Sequence, residues 1–402
     1  MRVSNRTIYQ SINDRLSAIA DQLRTINEQI ASGKKINRLS DDPIGLTHAL
    51  RLKKVLSQMG QYGKNVEHGQ SWLNLTESSL QTVNDLVIRA KEIANQMATG
   101  TYSGAQRSSA AWEIRNLMEQ LVQIGNTKLT GRYIFSGYQE TQAPFDRDLS
   151  IHQAVADTGN TYAGTATSSG TYTGLFSKNY IVEITTGGVL GTAEYQVSED
   201  GGLTWGSNLF TTDADAGDPN PVYSDNSLEV PYDQGTRISF TADTFAVGDR
   251  FTIEVSRYNG DRNDMEIAIG TSAQMKVNLT GNVALGEAGD KENNILDILA
   301  GLNHSLQNND ITGVQSALEE LNQYQPLVMG NLADVGSRLN RLEMSKNLLS
   351  ELELSNTTRL SEVEDVDVVR AITDLNAKQQ IYEAALFSAT QIMQLSLVDF
   401  LR

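Results

Sequence analysis

The sequence predicts an α+β chain. Long antiparallel helices from both chain ends form a bundle or coiled coil, and a mainly antiparallel β domain is inserted between them. Two observations carry this reading. Apolar residues recur at helical heptad spacing in both flanks, and that period vanishes from about residue 145 to 265, where short alternating runs replace it.

The first element is a helix over residues 1–35. Tyr9, Ile12, Leu16, Ile19, Leu23, Ile26 and Ile30 follow one another at alternating steps of three and four, which is a heptad seam. The string IASGKKINRLSDDPIGL, residues 30–46, then reads as a joint. Gly33 suits a helix C-cap, Ser40 or Asp41 can cap a new helix, and Pro43 is tolerated in its first turn, where a missing N–H costs nothing. Lys34, Lys35 and Arg38 leave positive charge on the bend, either a solvated loop or a surface for an acidic face of another subunit.

A helical domain follows, its first half at 36–144 and its second at 266–364. The first half carries Leu73, Thr76, Leu80, Val83, Val87, Ala90, Ala94 and Met97, then Ile114, Leu117, Leu121 and Ile124. The second half carries Val335, Leu339, Leu342, Lys346 and Leu349. A hairpin is expected near 131–145. Between the halves, 145–265 is a β-rich outer domain whose strand candidates are NYIVEIT, AEYQVS, TRISF and DRFTIEVS. Gly187-Gly188, Gly201-Gly202 and Asp233 to Gly235 supply turns, and Thr158 to Thr173 is too polar and glycine-rich to assign.

The last helix spans 365–402. Ser361 with Glu364 reads as a capping box at its start. One stripe runs Val368, Ile372, Leu375, Gln379, Tyr382, Leu386, Ala389 and Met393, and a second holds Ile381, Ala385, Ile392 and Leu395. Two stripes require more than one neighbour. An intramolecular helical bundle is one reading of these stripes. Packing between subunits is the other, favoured because the strongest seams lie near the chain ends, where isolated domains tend to fray.

Composition narrows the chemistry. The 402 residues hold 32 basic and 49 acidic side chains, a net charge of -17, which repels nucleic acid and anionic membranes. The charge is uneven, basic over the first sixty residues and acidic from 266 onward, so the terminal segments are expected to attract each other. There is no cysteine, hence no disulfide and no thiolate nucleophile. No window approaches a membrane span, and MRVSNRTIYQSINDRL lacks the apolar core of a Sec-type signal.

No catalytic, cofactor or metal residues emerge. His48, His68, His152 and His304 make no metal-binding pair, and phosphate-loop, dinucleotide and nucleophile-elbow motifs are missing. SEDGGLTW, Ser198 to Trp205, resembles an Asp-box, which is a structural hairpin. The acidic run from Ser361 lacks the glycine and closing glutamate of a calcium loop.

IASGKKINRLSDDPIGL resembles the N-terminal signature of bacterial flagellins and their hook-associated relatives, and EDVDVVRAITDLNAKQQIYEAALFSATQIMQLSLVDFL resembles their C-terminal helix. The turn motif is Gly33, Asp41, Asp42 and Pro43, and Asp-Asp-Pro-Ile is the form typical of the hook-associated relatives, where filament flagellins continue with Ala-Ala-Gly. GRYIFSGYQETQAPF is similar to a hairpin of those relatives.

The resemblance implies a flagellin-like fold and an extracellular structural subunit of the bacterial flagellum, secreted unfolded through the flagellar type III apparatus, with no enzymatic activity and no cofactor. It implies a place in the junction zone between hook and filament. Its partners would be copies of itself in a ring or helical zone, a neighbouring hook-associated junction protein, flagellin and an export chaperone. The assembly seams would be Tyr9, Ile12, Leu16, Ile19, Leu23, Ile26 and Ile30 at the N-terminus and Ile372, Leu375, Tyr382, Leu386, Ala389 and Met393 at the C-terminus, the latter also covered by the chaperone. A filament flagellin or flagellin-like paralogue is the alternative, and a secreted enzyme or glycan binder using the β domain is a third reading.

Overall fold

The computed structural model describes residues 5–189, 192–199, 202–207, 209–210, 220–221, 234–241, 244–286 and 293–400. Seven helices are present among them: α1 (Asn5–Ser32), α2 (Pro43–Met97), α3 (Gly104–Gly125), α4 (Gly281–Leu285), α5 (Ile295–Gln307), α6 (Ile311–Glu364) and α7 (Val368–Phe400). They belong to two compact units, one made of residues 1–64 and 345–402, the other of residues 65–344.

In the larger unit the helical core follows the heptads. Leu73, Thr76, Leu80, Val83, Val87, Ala90, Ala94 and Met97 of α2 are all buried, as are Ile114, Leu117 and Leu121 of α3 and Val335 and Leu342 of α6. The α6 seam begins earlier than the sequence reading placed it, with Val314, Ala317, Leu321, Tyr324 and Val328 also buried. Helix α5 carries a short seam of its own, Ile295, Leu299, Leu302 and Leu306, all buried, and it packs along α3. Helices α2 and α6 run antiparallel in this unit, as Asn84 faces Gln325 and the Ala98 carbonyl faces Gln315.

Arg107, buried in α3, locks three turns together. It donates from Nε to the Met97 carbonyl at 3.1 Å, from Nη2 to the Thr99 carbonyl at 2.6 Å and from Nη1 to Asn309 Oδ1 at 2.6 Å. The first two bonds take up carbonyls at and just beyond the end of α2 that have no helical partner.

Strands β1 (Lys128–Leu129) and β2 (Arg132–Tyr133) form a hairpin whose two turn residues, Thr130 and Gly131, both have positive φ. The hairpin therefore precedes the 131–145 expected for it, because Thr130-Gly131 closes the turn and residues 134–144 continue as loop. The inserted domain contains β3 (Phe145–Ile151), β4 (Val155–Ala156), β5 (Ala166–Gly170), β6 (Lys178–Thr186), β7 (Gly188–Val189), β8 (Glu194–Ser198), β9 (Leu209–Phe210), β10 (Asn220–Pro221), β11 (Thr236–Phe240), β12 (Thr244–Phe245) and β13 (Arg250–Tyr258). A last hairpin, β14 (Glu266–Ala268) with β15 (Gln274–Lys276), leads back to the helices.

The main sheet is antiparallel in the order β3-β13-β6-β8-β9, with β4 also on β13, and β10-β11-β5 forms a second sheet. All four strand candidates are strands, and the unassigned polar stretch contains β5, which pairs with β11 from Thr236↔Gly170 to Phe240↔Ala166. Insertion begins and ends on neighbouring strands, since Val255 pairs with Ile151. The domain has its own core. Tyr162 stacks on Phe245 at 4.5 Å, and Phe240 and Phe251 meet them edge-on.

A buried network roots the sheet on α5. Asn294 caps the helix, accepting from the Leu296 and Asp297 amides at 3.1 and 3.3 Å. Asp297, fully buried, accepts from Arg257 Nη1 at 2.9 Å and from the Ser177 amide and hydroxyl. Burial pushes its carboxyl above the ordinary value, opposed by the Ser177 bonds and the Arg257 charge.

Candidate assembly surface

The smaller unit is built from α1, α7, the joints beside them, the start of α2 up to Lys64 and the end of α6 from Ser345. Helices α1 and α7 lie antiparallel, since Lys378 Nζ donates to Gln22 Oε1 at 2.7 Å and the chain just after α1 meets the chain just before α7. Ile12, Leu16, Ile19, Leu23, Ile26 and Ile30 are all half-buried in a helix whose other faces are exposed. The side chains of Tyr9 and Met393 fall outside those described.

On α7 the covered positions are Ala371, Leu375, Lys378, Tyr382, Ala385 and Ala389, again at steps of four and three. Leu375, Tyr382 and Ala389 of the expected C-terminal seam are among them. Ile372 and Leu386 are not: they stand beside this seam, 45% and 40% exposed, with Val368 on the same side. The helix turns one face to α1 and leaves Val368, Ile372 and Leu386 open, and this divides the expected stripes differently, since Ala385 of the second stripe is covered, Ile381 of it is exposed, and the side chains of Ile392 and Leu395 lie outside those described.

The joint closes with backbone and charge. Gly33, at φ +70°, ends α1. The Lys35 amide then donates to the Glu364 carbonyl at 2.6 Å and the Val366 amide to the Gly33 carbonyl at 3.0 Å, so the two chain ends pair as one antiparallel bridge at Lys34↔Asp365. The Glu364 carboxylate is buried there between Lys34 Nζ at 2.6 Å and Lys53 Nζ at 2.7 Å. Burial alone would raise its pKa, yet hydrogen bonds and charge from the two lysines hold it below the ordinary carboxylate value, and Glu364 in return raises Lys34.

Three expectations are corrected here. Ser361 and Glu364 form no capping box, because α6 runs through Ser361 and ends at Glu364; Asp367 caps α7 instead, accepting from the Arg370 amide at 3.1 Å. The N-cap of α2 is Asp42, whose Oδ1 accepts from the Ile44 and Gly45 amides at 3.1 and 2.9 Å, with Pro43 at the first helical position. Asp41 braces the turn before it, its Oδ2 accepting from the Asn37 and Arg38 amides. The bend's cations are also partly spent within the chain: Lys34 on Glu364 and Arg38 on Glu28 at 2.9 Å.

No group of three or more metal-ligating side chains occurs among the described residues, and no described helix is long and apolar enough to cross a membrane. A cleft of about 250 Å³ on the larger unit, between α3, α5 and the sheet, is lined by Arg115, Arg147 and Arg257 together with the carboxylates Glu119 and Asp148, and Glu119 is paired there with Arg115 and Arg147. In the Asp-box-like string, Ser198 Oγ accepts from the Gly202 amide at 2.8 Å and Trp205 lies against Arg250, a hairpin lock rather than a site.

Long flanking helices that close on each other around a β insertion are a flagellin-like architecture. Residues 3–140 match the bacterial flagellin N-terminal helical region. Flagellar hook-associated protein 3 of Salmonella typhimurium is 31% identical over 148 residues, which is 37% of this chain and 47% of that protein. The Escherichia coli protein of the same name is 31% identical over 158 residues, 39% of this chain and 50% of its own length. Polar flagellin F of Vibrio parahaemolyticus is 22% identical over 374 residues, covering 92% of this chain and 90% of that one. The chain thus matches about half the length of the two hook-associated relatives. Over these stretches the chain is similar to flagellar hook-associated protein 3 and to flagellins, which are flagellar structural proteins rather than enzymes.

Proposed function

We propose that this chain is a structural subunit of the bacterial flagellum that polymerises through its terminal helices in the junction zone between hook and filament. One observation carries the reading. Among the described residues of the smaller unit only Ile36, Ala49, Leu52, Ala371 and Ala389 are buried apolar side chains, whereas thirteen large apolar side chains are exposed. Such a unit completes its core against neighbours. Finishing the burial of a half-exposed side chain contributes about 1 kcal/mol. Several such contacts per interface are therefore needed to offset the roughly 4–15 kcal/mol that association costs.

The partners we place on this surface are those the family resemblance implies: further copies, a neighbouring hook-associated junction protein, flagellin and, before assembly, an export chaperone on the open stripe of α7. A chain with no cysteine passes an export channel unfolded without disulfides to break. The Asp41-Asp42-Pro43-Ile44 turn supports the junction role. The near full-length match to polar flagellin F supports the second reading, a filament flagellin or paralogue. A deletion strain separates them. Loss of a junction subunit leaves hooks that shed flagellin monomers, whereas loss of a filament subunit leaves complete junctions without filaments; the second phenotype refutes the junction assignment.

A further inference from the structure

The joint carries two unlike apolar patches. On its N-terminal side Leu39 and Ile44 stand 68% and 84% exposed, five residues apart on the turn that Asp41 and Asp42 brace. Exposed Lys35, Arg51 and Lys54 surround them in sequence, and none makes an ion pair within the described residues. Both aspartates of this stretch are already engaged by backbone amides.

On the C-terminal side Val368, Val369 and Ile372 are exposed on the first turns of α7, Val369 at 78%. Glu362 and Asp374 flank them, exposed and without a cationic partner among the described residues. Between residues 360 and 377 the one cation is Arg370.

We propose that the basic apolar patch of one copy docks on the acidic apolar patch of the next copy, head to tail; this rests on the chain being a polymerising subunit. The two patches match in both apolar centre and rim charge, the pattern of an interface core with a polar rim. Pairing like with like would set Lys35, Arg51 and Lys54 of two copies against each other, which disfavours contact between two basic patches. Made head to tail, a contact between unlike patches repeats around a ring or along a helix, as a polymerising subunit needs; a two-fold pair that makes both unlike contacts across one axis is the competing arrangement, and the assembly state separates the two. Each copy presents both patches because the Lys34↔Asp365 bridge holds the two sides of the joint together. The rim charges set chiefly the rate and salt sensitivity of docking.

The test uses the full-length chain, with polymerisation followed by light scattering and sedimentation. Arg51→Glu/Lys54→Glu makes both patches acidic, and Glu362→Lys/Asp374→Lys makes both basic. Each variant alone should polymerise at least tenfold more slowly than wild type, while an equimolar mixture of the two should recover most of the rate as an alternating polymer. All four positions are exposed, so circular dichroism should match wild type. Wild-type rates for either variant, a mixture as inert as its components, or wild-type assembly that stops at a two-fold dimer would each overturn the docking. Wild type and Leu386→Asp run alongside. If wild type polymerises and Leu386→Asp does not, unchanged charge variants sink only this docking; if wild type never polymerises, the underlying reading falls and the docking with it.

Discussion

Arg257→Leu should loosen the root of the inserted domain without touching the helical seams. The side chain is 11% exposed and its partner Asp297 is 0% exposed, so the change leaves a carboxylate in the interior with one fewer donor. Removing one member of a buried pair costs about 3–5 kcal/mol. Two Ser177 donors remain on Asp297, which places the expected loss at the lower end, about 3 kcal/mol. At 1.36 kcal/mol per decade that is roughly a hundredfold faster opening. Amide exchange of β6 and β13, corrected for intrinsic rates, reads it directly.

The pH dependence gives a second, independent check. Asp297 already has a raised pKa, and losing the Arg257 charge raises it further. The folded variant then takes up a proton more readily than the unfolded chain, so its deficit is full above the folded pKa and shrinks as pH falls through it toward the ordinary value of 3.8. An exchange increase below threefold at neutral pH, or a deficit of the same size at pH 4, would refute the claim that a buried charge is what the arginine compensates.

The joint should also titrate. Glu364 is lowered, so its contribution is present above 4.5 and is lost as pH falls through its folded value; Lys34 is raised, so its contribution is present below 10.5 and is lost as pH rises through its own. Exchange of the Lys35 and Val366 amides should quicken at both extremes, and Glu364→Gln should abolish the acid step. Leu386→Asp should prevent assembly and chaperone capture yet leave the α1–α7 pair folded, because Leu386 stands outside the seam facing α1. Trp205→Ala should disturb only the outer hairpin, and filament loss with a stable, secreted Trp205→Ala chain would contradict that division of labour. Deleting residues 152–254 and joining Ile151 to Val255 with a short turn should preserve helical circular dichroism, since those two residues are already strand partners.

What was legible in the sequence was whatever repeats. The α2 seam from Leu73 to Met97 could be read residue by residue because a long helix with one buried face imposes a period of 3.5. The strands of the inserted domain were legible through alternation, as in Lys178–Thr186, where Tyr180, Val182 and Ile184 are buried. Helix α5 left a weaker trace, since Ile295, Leu299, Leu302 and Leu306 make a seam of under two heptads that does not stand out beside the long flanking helices. Arg107, Asp297 and Asn294 were silent, since a buried polar side chain looks like a surface one until its partners, up to about two hundred positions away, are known. Strand β5 was missed because ATSSG has no apolar contrast; its pairing with β11 is decided by tertiary context.

Glu364 shows the same limit where it bears on function. Read locally, a serine followed three residues later by a glutamate is a helix start. The carboxylate instead ends α6 and is held by Lys34 and Lys53, more than three hundred residues earlier in the chain. Local capping contributes about 1 kcal/mol. Two ammonium groups on one shielded carboxylate, with two backbone bonds alongside, outweigh it, so the acid is drawn to the other chain end and Asp367 caps α7 in its place. The helix boundary near residue 365 is therefore set by a residue pair that exists only when both ends of the chain are together. This couples the exit of α1 from its joint to the entry of α7 and presents the basic and acidic patches as one preformed unit. A chain holding only one end would retain the helical pattern of that end but neither the latch nor the paired patches.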